Sequence, residues 1–262
     1  MTALEAILLG IVQGLTEFFP VSSSGHLVVF QSLLGIDLAG GLVFEIAVHV
    51  ATLGAIVIFY RRRLIELFLG AIRLDGSALD YVGKLAVGTL PAVAFALVGM
   101  DFIEQQFQSP WLVGFALLVT GCIVASTRWT AARATHPVPS WAMAAWIGCA
   151  QAVAILPGIS RSGSTVAMAL AVGLAPLAAA EFSFLLGIIA IAGAAVLMLP
   201  DLAGAPSGVL GSLLIGSAAA LVAGLAALGL FVRMLRAGSF AWFALWAWGA
   251  GALFLAWLAL RG

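Results

Sequence analysis

The sequence predicts an all-α integral membrane protein, and three observations carry that expectation. Of the 262 residues, 64% are hydrophobic and only 8% charged, with a mean hydropathy of +1.20, far from the composition of a soluble domain. Six windows (41–60, 84–100, 110–127, 177–199, 207–231 and 240–260) approach the roughly 20 apolar residues that a spanning helix needs. Two more apolar stretches, 4–34 and 141–174, are each broken midway by a cluster of Pro, Gly and Ser. Other classes are disfavoured. Eleven Lys+Arg balance eleven Asp+Glu with no basic block, which argues against nucleic acid and leaves the lipid bilayer as the expected surrounding. No Lys or Arg precedes Arg61, so the first apolar segment does not read as a cleaved signal peptide. Cys122 and Cys149 sit in apolar runs without metal or redox spacing and read as small core hydrophobes.

In chain order, the first element is the stretch broken at PVSSSGH (20–26). Each side of that break is a half-helix of about 10 to 16 residues, which at about 1.5 Å per residue falls short of a hydrocarbon core about 30 Å thick. The economical structure is a re-entrant helix-loop-helix that enters and leaves on one side, its irregular tip buried in protein. Three full spans follow. The stretch broken at PGISRSGST (157–165) repeats the device, and three more spans complete the chain. A shift of 138 residues superimposes Gly10 on Gly148, Gln13 on Gln151, Ser22 on Ser160, Ser24 on Ser162 and Gly25 on Gly163 without a gap. One hairpin plus three spans crosses an odd number of times, so residues 1–135 and 136–262 form one membrane domain of two inverted repeats with a midplane site between them.

The basic residues orient this topology. One face carries Arg61, Arg62, Arg63, Arg73, Lys84, Arg128, Arg133, Arg233 and Arg236, the other only Arg261, and Arg161 lies at the second tip. By the positive-inside rule the basic face is cytoplasmic, and the mouth of the first hairpin opens outward. Trp242, Trp246, Trp248 and Trp257 read as packing and interface anchors.

An ionised group at the bilayer midplane costs about 2.5–3.5 kcal/mol even on the milder insertion scale, so each needs a partner or a function. Glu17 and His26 flank the first tip, and Arg161 sits in the second; if the tips meet, all three converge. Two helix N-termini, expected near Gly25 and Ser164, then point free N–H groups at the shared centre. With the hydroxyls of Ser22, Ser23, Ser24, Ser160, Ser162, Ser164 and Thr165, the close approach allowed by Gly25 and Gly163, and the Arg161 guanidinium, they form an anion cradle suited to phosphate. Glu45 and His49, four apart on one helix face, are expected to satisfy each other. Gln13 and Gln151 are placed to bridge broken backbone, and Glu181 is accounted for by a helix N-terminus. Two functions fit these residues equally: a transporter or flippase of an anionic lipid, and a phosphohydrolase that uses Glu17, His26 and a serine as acid, base and nucleophile.

QGLTEFFPVSSSGHL, PGISRSGST and AAEFSFLLG resemble the signature segments of the undecaprenyl pyrophosphate phosphatase family, associated with bacitracin resistance, and FEIAVHVATLGAIVIFY and LPAVAFAL extend the likeness over nearly the whole chain. The resemblance implies hydrolysis of undecaprenyl pyrophosphate to the monophosphate carrier lipid of peptidoglycan synthesis, a multi-pass location in the bacterial cytoplasmic (inner) membrane, and two inverted repeats with two re-entrant hairpins. It places Gln13 and Glu17 on the family's first motif, Ser23 and His26 on its essential serine and histidine, and Arg161 on its essential arginine, with Ser160, Ser162 and Thr165 as phosphate contacts. It also implies a divalent cation, Mg2+ or Ca2+, with Glu17 the carboxylate best placed to hold it. Two residues depart from the pattern: Gln13 stands where some members have Glu, and Ile189 where many have Pro. The nucleophile (Ser23, His26 or water), the metal and a homodimer are left open by the sequence.

Overall fold

The computed structural model describes residues 1–34, 41–107, 109–197 and 210–261. Among these, all regular secondary structure is helical. The first interrupted stretch forms α1 (Ala3–Phe18) and α2 (Ser23–Leu34). Thr2 starts α1 through a reciprocal cap: the Glu5 N–H donates to the Thr2 hydroxyl at 3.3 Å, and the Thr2 N–H to the Glu5 carboxylate at 2.8 Å. Then come α3 (Gly41–Phe59), α4 (Arg61–Ile72), α5 (Gly76–Phe107) and α6 (Pro110–Thr130). The second interrupted stretch gives α7 (Trp141–Val153) and α8 (Arg161–Ala171), followed by α9 (Pro176–Leu197), α10 (Leu210–Arg236) and α11 (Phe243–Arg261).

Among the described residues five helices, α5, α6, α9, α10 and α11, are long and apolar enough to cross a membrane alone, and α3 qualifies together with α4. The chain is thus an all-α membrane protein. The 16 residues of α1 and 13 of α7 fall short of a full crossing, as expected for half-helices. The expected span ends at 198–199 and 207–209 lie outside the described residues.

Cys122 and Cys149 are exposed on α6 and α7 rather than set in the core, because each falls on an outward face of its helix. Three further features differ from expectation. First, α2 and α8 begin at Ser23 and Arg161, two to three residues before Gly25 and Ser164, because Ser22 and Ser160 act as N-caps. Second, Arg61–Ile72, which no expected span covered, is a helix bent 76° from the preceding span. It buries Leu67 and exposes Ile65, Phe68 and Ile72, the pattern of a helix lying in the membrane interface. Third, Lys84 lies two turns inside α5, buried, paired with Asp80 and set over the Trp141 ring at 5.8 Å.

The hairpins pack across the molecule. α1 lies chiefly on α10, and α7 chiefly on α5, so each hairpin docks on a span from the other half. In lipid the apolar effect does not drive helices together, and small residues that allow backbone approach do so instead. A Cβ on Gly10 would strike the Gly216 carbonyl, and one on Gly148 the Gly88 carbonyl. Below the first tip, toward the basic end, a column of rings closes the bundle: Phe18–Phe184 at 5.7 Å, Phe184–Phe231 at 5.0 Å and Phe231–Phe240 at 5.3 Å between centroids, all edge to face.

Candidate active site where the two hairpin tips meet

Glu17 is the centre of the site. It lies in the last turn of α1, buried, with both oxygens engaged. Oε1 accepts from the Arg161 guanidinium, contributed by the first residue of α8 on the opposite tip. Oε2 accepts the Ser23 hydroxyl at 2.7 Å and the Gln13 side-chain amide at 3.1 Å, and the His49 Nε2 stands 3.7 Å away. A buried carboxylate is tolerable in a bilayer when opposed by a cation and several donors, and here these come from four elements.

Local sequence aims the two partners. In the first tip the Ser22 hydroxyl accepts the Gly25 N–H at 3.3 Å and lies 3.4 Å from the Ser24 hydroxyl. In the second the Ser160 hydroxyl accepts the Gly163 N–H at 3.1 Å and lies 3.3 Å from the Ser162 hydroxyl. The Ser-x-Ser-Gly segments are therefore matching helix caps, and the residue at x, Ser23 or Arg161, is the one turned toward Glu17. Gly187 on α9 gives the guanidinium its room, since a Cβ there would collide with it. Among the described residues the Arg161 Nη1 and the Gln13 Oε1 are both buried without a partner, leaving donor capacity and an acceptor unused beside Glu17.

The structure brings Gln13, Glu17, Ser23, His49 and Arg161 together, but it does not bring His26 to Glu17. The His26 Nδ1 bonds to the Ser22 carbonyl at 2.8 Å, and its Nε2 accepts the Trp246 indole N–H at 2.9 Å, so both nitrogens are committed. The expected Glu45–His49 side-chain pair is absent among the described residues: His49 Nδ1 bonds to the Glu45 backbone carbonyl at 2.8 Å, freeing Nε2 to face Glu17. Thr165 turns from the tip, its hydroxyl donating to the Arg161 carbonyl at 2.8 Å and pairing with Ser183. Ser164 is buried, without a partner among the described residues, in a groove between α6, α7 and α8 that Ile123, Ala150 and Met168 also line. Ser162 reaches the Phe19 carbonyl across the tips at 3.3 Å. Gln151, unlike its counterpart Gln13, leaves both side-chain polar atoms without a partner among the described residues. Glu181 has more than a helix end: Arg63 donates to it at 2.9 Å and Tyr81 at 3.2 Å, tying α4 and α5 to α9.

Sequence reasoning missed Thr120, Ser183, Gly187 and the polar role of Trp246. Thr120 braces the second tip by donating to the Gly158 carbonyl at 2.7 Å and accepting the Ser160 N–H at 2.9 Å. Only a buried Thr in mid-span marks it in sequence. Gly187 had a signal, since the 138-residue shift sets it opposite His49.

Fold and site together define a polytopic membrane protein with an Arg–Glu–Ser centre between two half-helix tips. A family model described as "Bacitracin resistance protein BacA" matches residues 6–253. Three proteins named undecaprenyl-diphosphatase align over nearly their full length. That of Desulfatibacillum aliphaticivorans is 39% identical over 96% of this chain and 97% of its own. That of Rhodopirellula baltica is 40% identical over 95% and 96%, and that of Desulfosudis oleivorans 39% identical over the whole of both. The chain belongs to the BacA family.

Proposed function

We propose that this protein hydrolyses undecaprenyl pyrophosphate to undecaprenyl phosphate and phosphate, recycling the carrier lipid for peptidoglycan synthesis and so conferring bacitracin resistance. The observation that carries the reading is the 2.7 Å hydrogen bond from the Ser23 hydroxyl to Glu17, with Arg161 on the other oxygen of the same carboxylate. Nucleophile, base and phosphate-binding cation stand within reach of one reacting phosphorus. A flippase of an anionic polyprenyl lipid needs no nucleophile, so this bond favours hydrolysis. The named activity of the aligned relatives supports the same reading.

The lipid diphosphate enters from the outer leaflet through the mouth of the first hairpin, its chain still in the bilayer of the cytoplasmic membrane. Residues 1–135 and 136–262 act as inverted halves whose tips clasp the headgroup; the crosswise docking of the hairpins supports this. Ser23 Oγ attacks the distal phosphorus as its proton passes to Glu17. The bridging P–O bond breaks and undecaprenyl phosphate leaves, taking that proton from Glu17. Water then attacks the phosphoserine and gives a proton to Glu17, which passes it to Ser23 Oγ as the Ser–O–P bond breaks and phosphate departs. Arg161, with Nη1 unspent, neutralises the charge on the transferring phosphoryl oxygens, where most of the rate acceleration arises. His26, both nitrogens occupied, supports the turn that presents Ser23 and is not the nucleophile.

A divalent cation fits as a companion of the substrate. Among the described residues no group of three or more His, Cys, Asp or Glu could form a resident centre, but the orphaned Gln13 Oε1 lies on the residue that bonds Glu17. Gln13 and Glu17 would hold a Mg2+ or Ca2+ ion that brings phosphate oxygens and water as its remaining ligands, and it would supply charge neutralisation. The amide oxygen that Gln13 offers in place of a carboxylate is an acceptable ligand for either ion. The test is phosphate release from undecaprenyl pyrophosphate by detergent-purified protein. Activity that EDTA lowers and added Mg2+ or Ca2+ restores is expected; no release by folded protein would move the assignment to lipid transport.

A further inference from the structure

The hydrogen bonds of His26 fix its tautomer. An indole N–H is a donor only, so Nε2, which receives it from Trp246 at 2.9 Å, is an acceptor. The ring is therefore neutral with its proton on Nδ1, and Nδ1–H donates to the Ser22 carbonyl at 2.8 Å. The two rings lie nearly parallel, 14° apart with centroids at 6.3 Å.

That carbonyl matters because of where it lies. Ser22 has φ of 71°, one of two non-glycine residues with positive φ among those described, a strained conformation that needs support from its neighbours. Its peptide leads directly into Ser23, so its tilt sets where the Ser23 hydroxyl meets Glu17. Trp246 itself is 63% exposed on the bilayer side of α11, and core filling does not explain a polar bond reaching inward from there.

We propose that Trp246 is a positioning residue for the Ser23 nucleophile: its indole N–H locks His26 as the Nδ1–H tautomer, and His26 thereby pins the Ser22–Ser23 peptide. The proposal rests on the phosphatase reading above. Without the indole donor, the imidazole proton is free to move to Nε2, and Nδ1 then faces the Ser22 carbonyl as a second acceptor. The turn loosens, and Ser23 spends less time against Glu17.

Trp246→Phe keeps a flat aromatic ring but removes the donor together with the second ring of the indole. Expected is a kcat loss of roughly threefold to tenfold, about what one net hydrogen bond supports, with KM within about twofold because no substrate contact changes. The double variant Trp246→Phe/His26→Ala should be no slower than His26→Ala alone, since both act along one line. A second readout needs no turnover. In protein labelled with 15N-tryptophan in nanodiscs, the indole resonance that disappears in Trp246→Phe should shift in His26→Ala. A wild-type kcat for Trp246→Phe, losses that multiply in the double variant, or an indole resonance that ignores His26→Ala would each overturn the proposal. If wild-type protein released no phosphate, the phosphatase reading would fall, and the indole resonance would still decide the His26 lock.

Discussion

The two hairpin tips are one device used twice with opposite content. Both cap a half-helix with the same serine bonds, Ser22 to Gly25 and Ser160 to Gly163, and both pair that serine with the one two residues on. The 138-residue shift sets Ser23 opposite Arg161, Glu17 opposite Ile155 and His49 opposite Gly187. One tip carries the Ser23 hydroxyl and the Glu17 carboxylate; the other carries the Arg161 cation, with an empty place on α9 in which the guanidinium fits. A symmetric scaffold thus brings opposite charges together at its centre, which two identical tips could not do without placing like charges face to face.

The largest effects should come from breaking that complementarity. Ser23→Ala should lower phosphate release by about a thousandfold or more, at the upper end of what loss of an acid–base or nucleophilic group removes. A variant retaining a tenth of wild-type turnover would shift attack to water. Next, Arg161→Lys replaces a planar fork with a point charge and is expected to cost about a hundredfold in turnover, measured on protein of unchanged elution volume in detergent. Near-normal turnover would remove the guanidinium's particular role.

Smaller changes sharpen the comparison. Gly187→Ala pushes on the guanidinium from behind without touching Glu17 or Ser23, and a loss of about tenfold is expected in the same assay. No loss would show that Arg161 has another resting place. The smallest effect belongs to the caps. Ser160→Ala should destabilise the fold by about 1 kcal/mol, seen as a lower thermal unfolding midpoint in detergent. If turnover fell far more than stability, Ser160 would touch substrate after all.

Much of this was legible in one dimension. The hairpins follow from length: 16 and 13 apolar residues ended by Pro, Gly and Ser do not span a bilayer. Glu17, Ser23 and Arg161 stood out because ionised and hydroxyl groups are costly in hydrocarbon. What failed was the count of hydroxyls at the centre. Seven Ser and Thr residues were expected to face phosphate, yet one-residue steps on a helix turn side chains by about 100°, so Ser164 and Thr165 look to other neighbours than Arg161 does. His26 was assigned to Glu17 on proximity in sequence, whereas its ring bonds to the Ser22 carbonyl and to Trp246, 220 residues away.

The sequence by itself determined the class, the two broken helices, the internal repeat and the charged residues that need explanation, because the bilayer penalises every exception to apolarity in a way visible residue by residue. Only the tertiary structure decided who meets whom: that Arg161 and Ser23 share Glu17, that His49 and not His26 faces it, and that Gly187 and Thr120 hold the second tip in place. Those choices depend on helix phase and on packing between distant segments, and neither is written in the local pattern of any one of them.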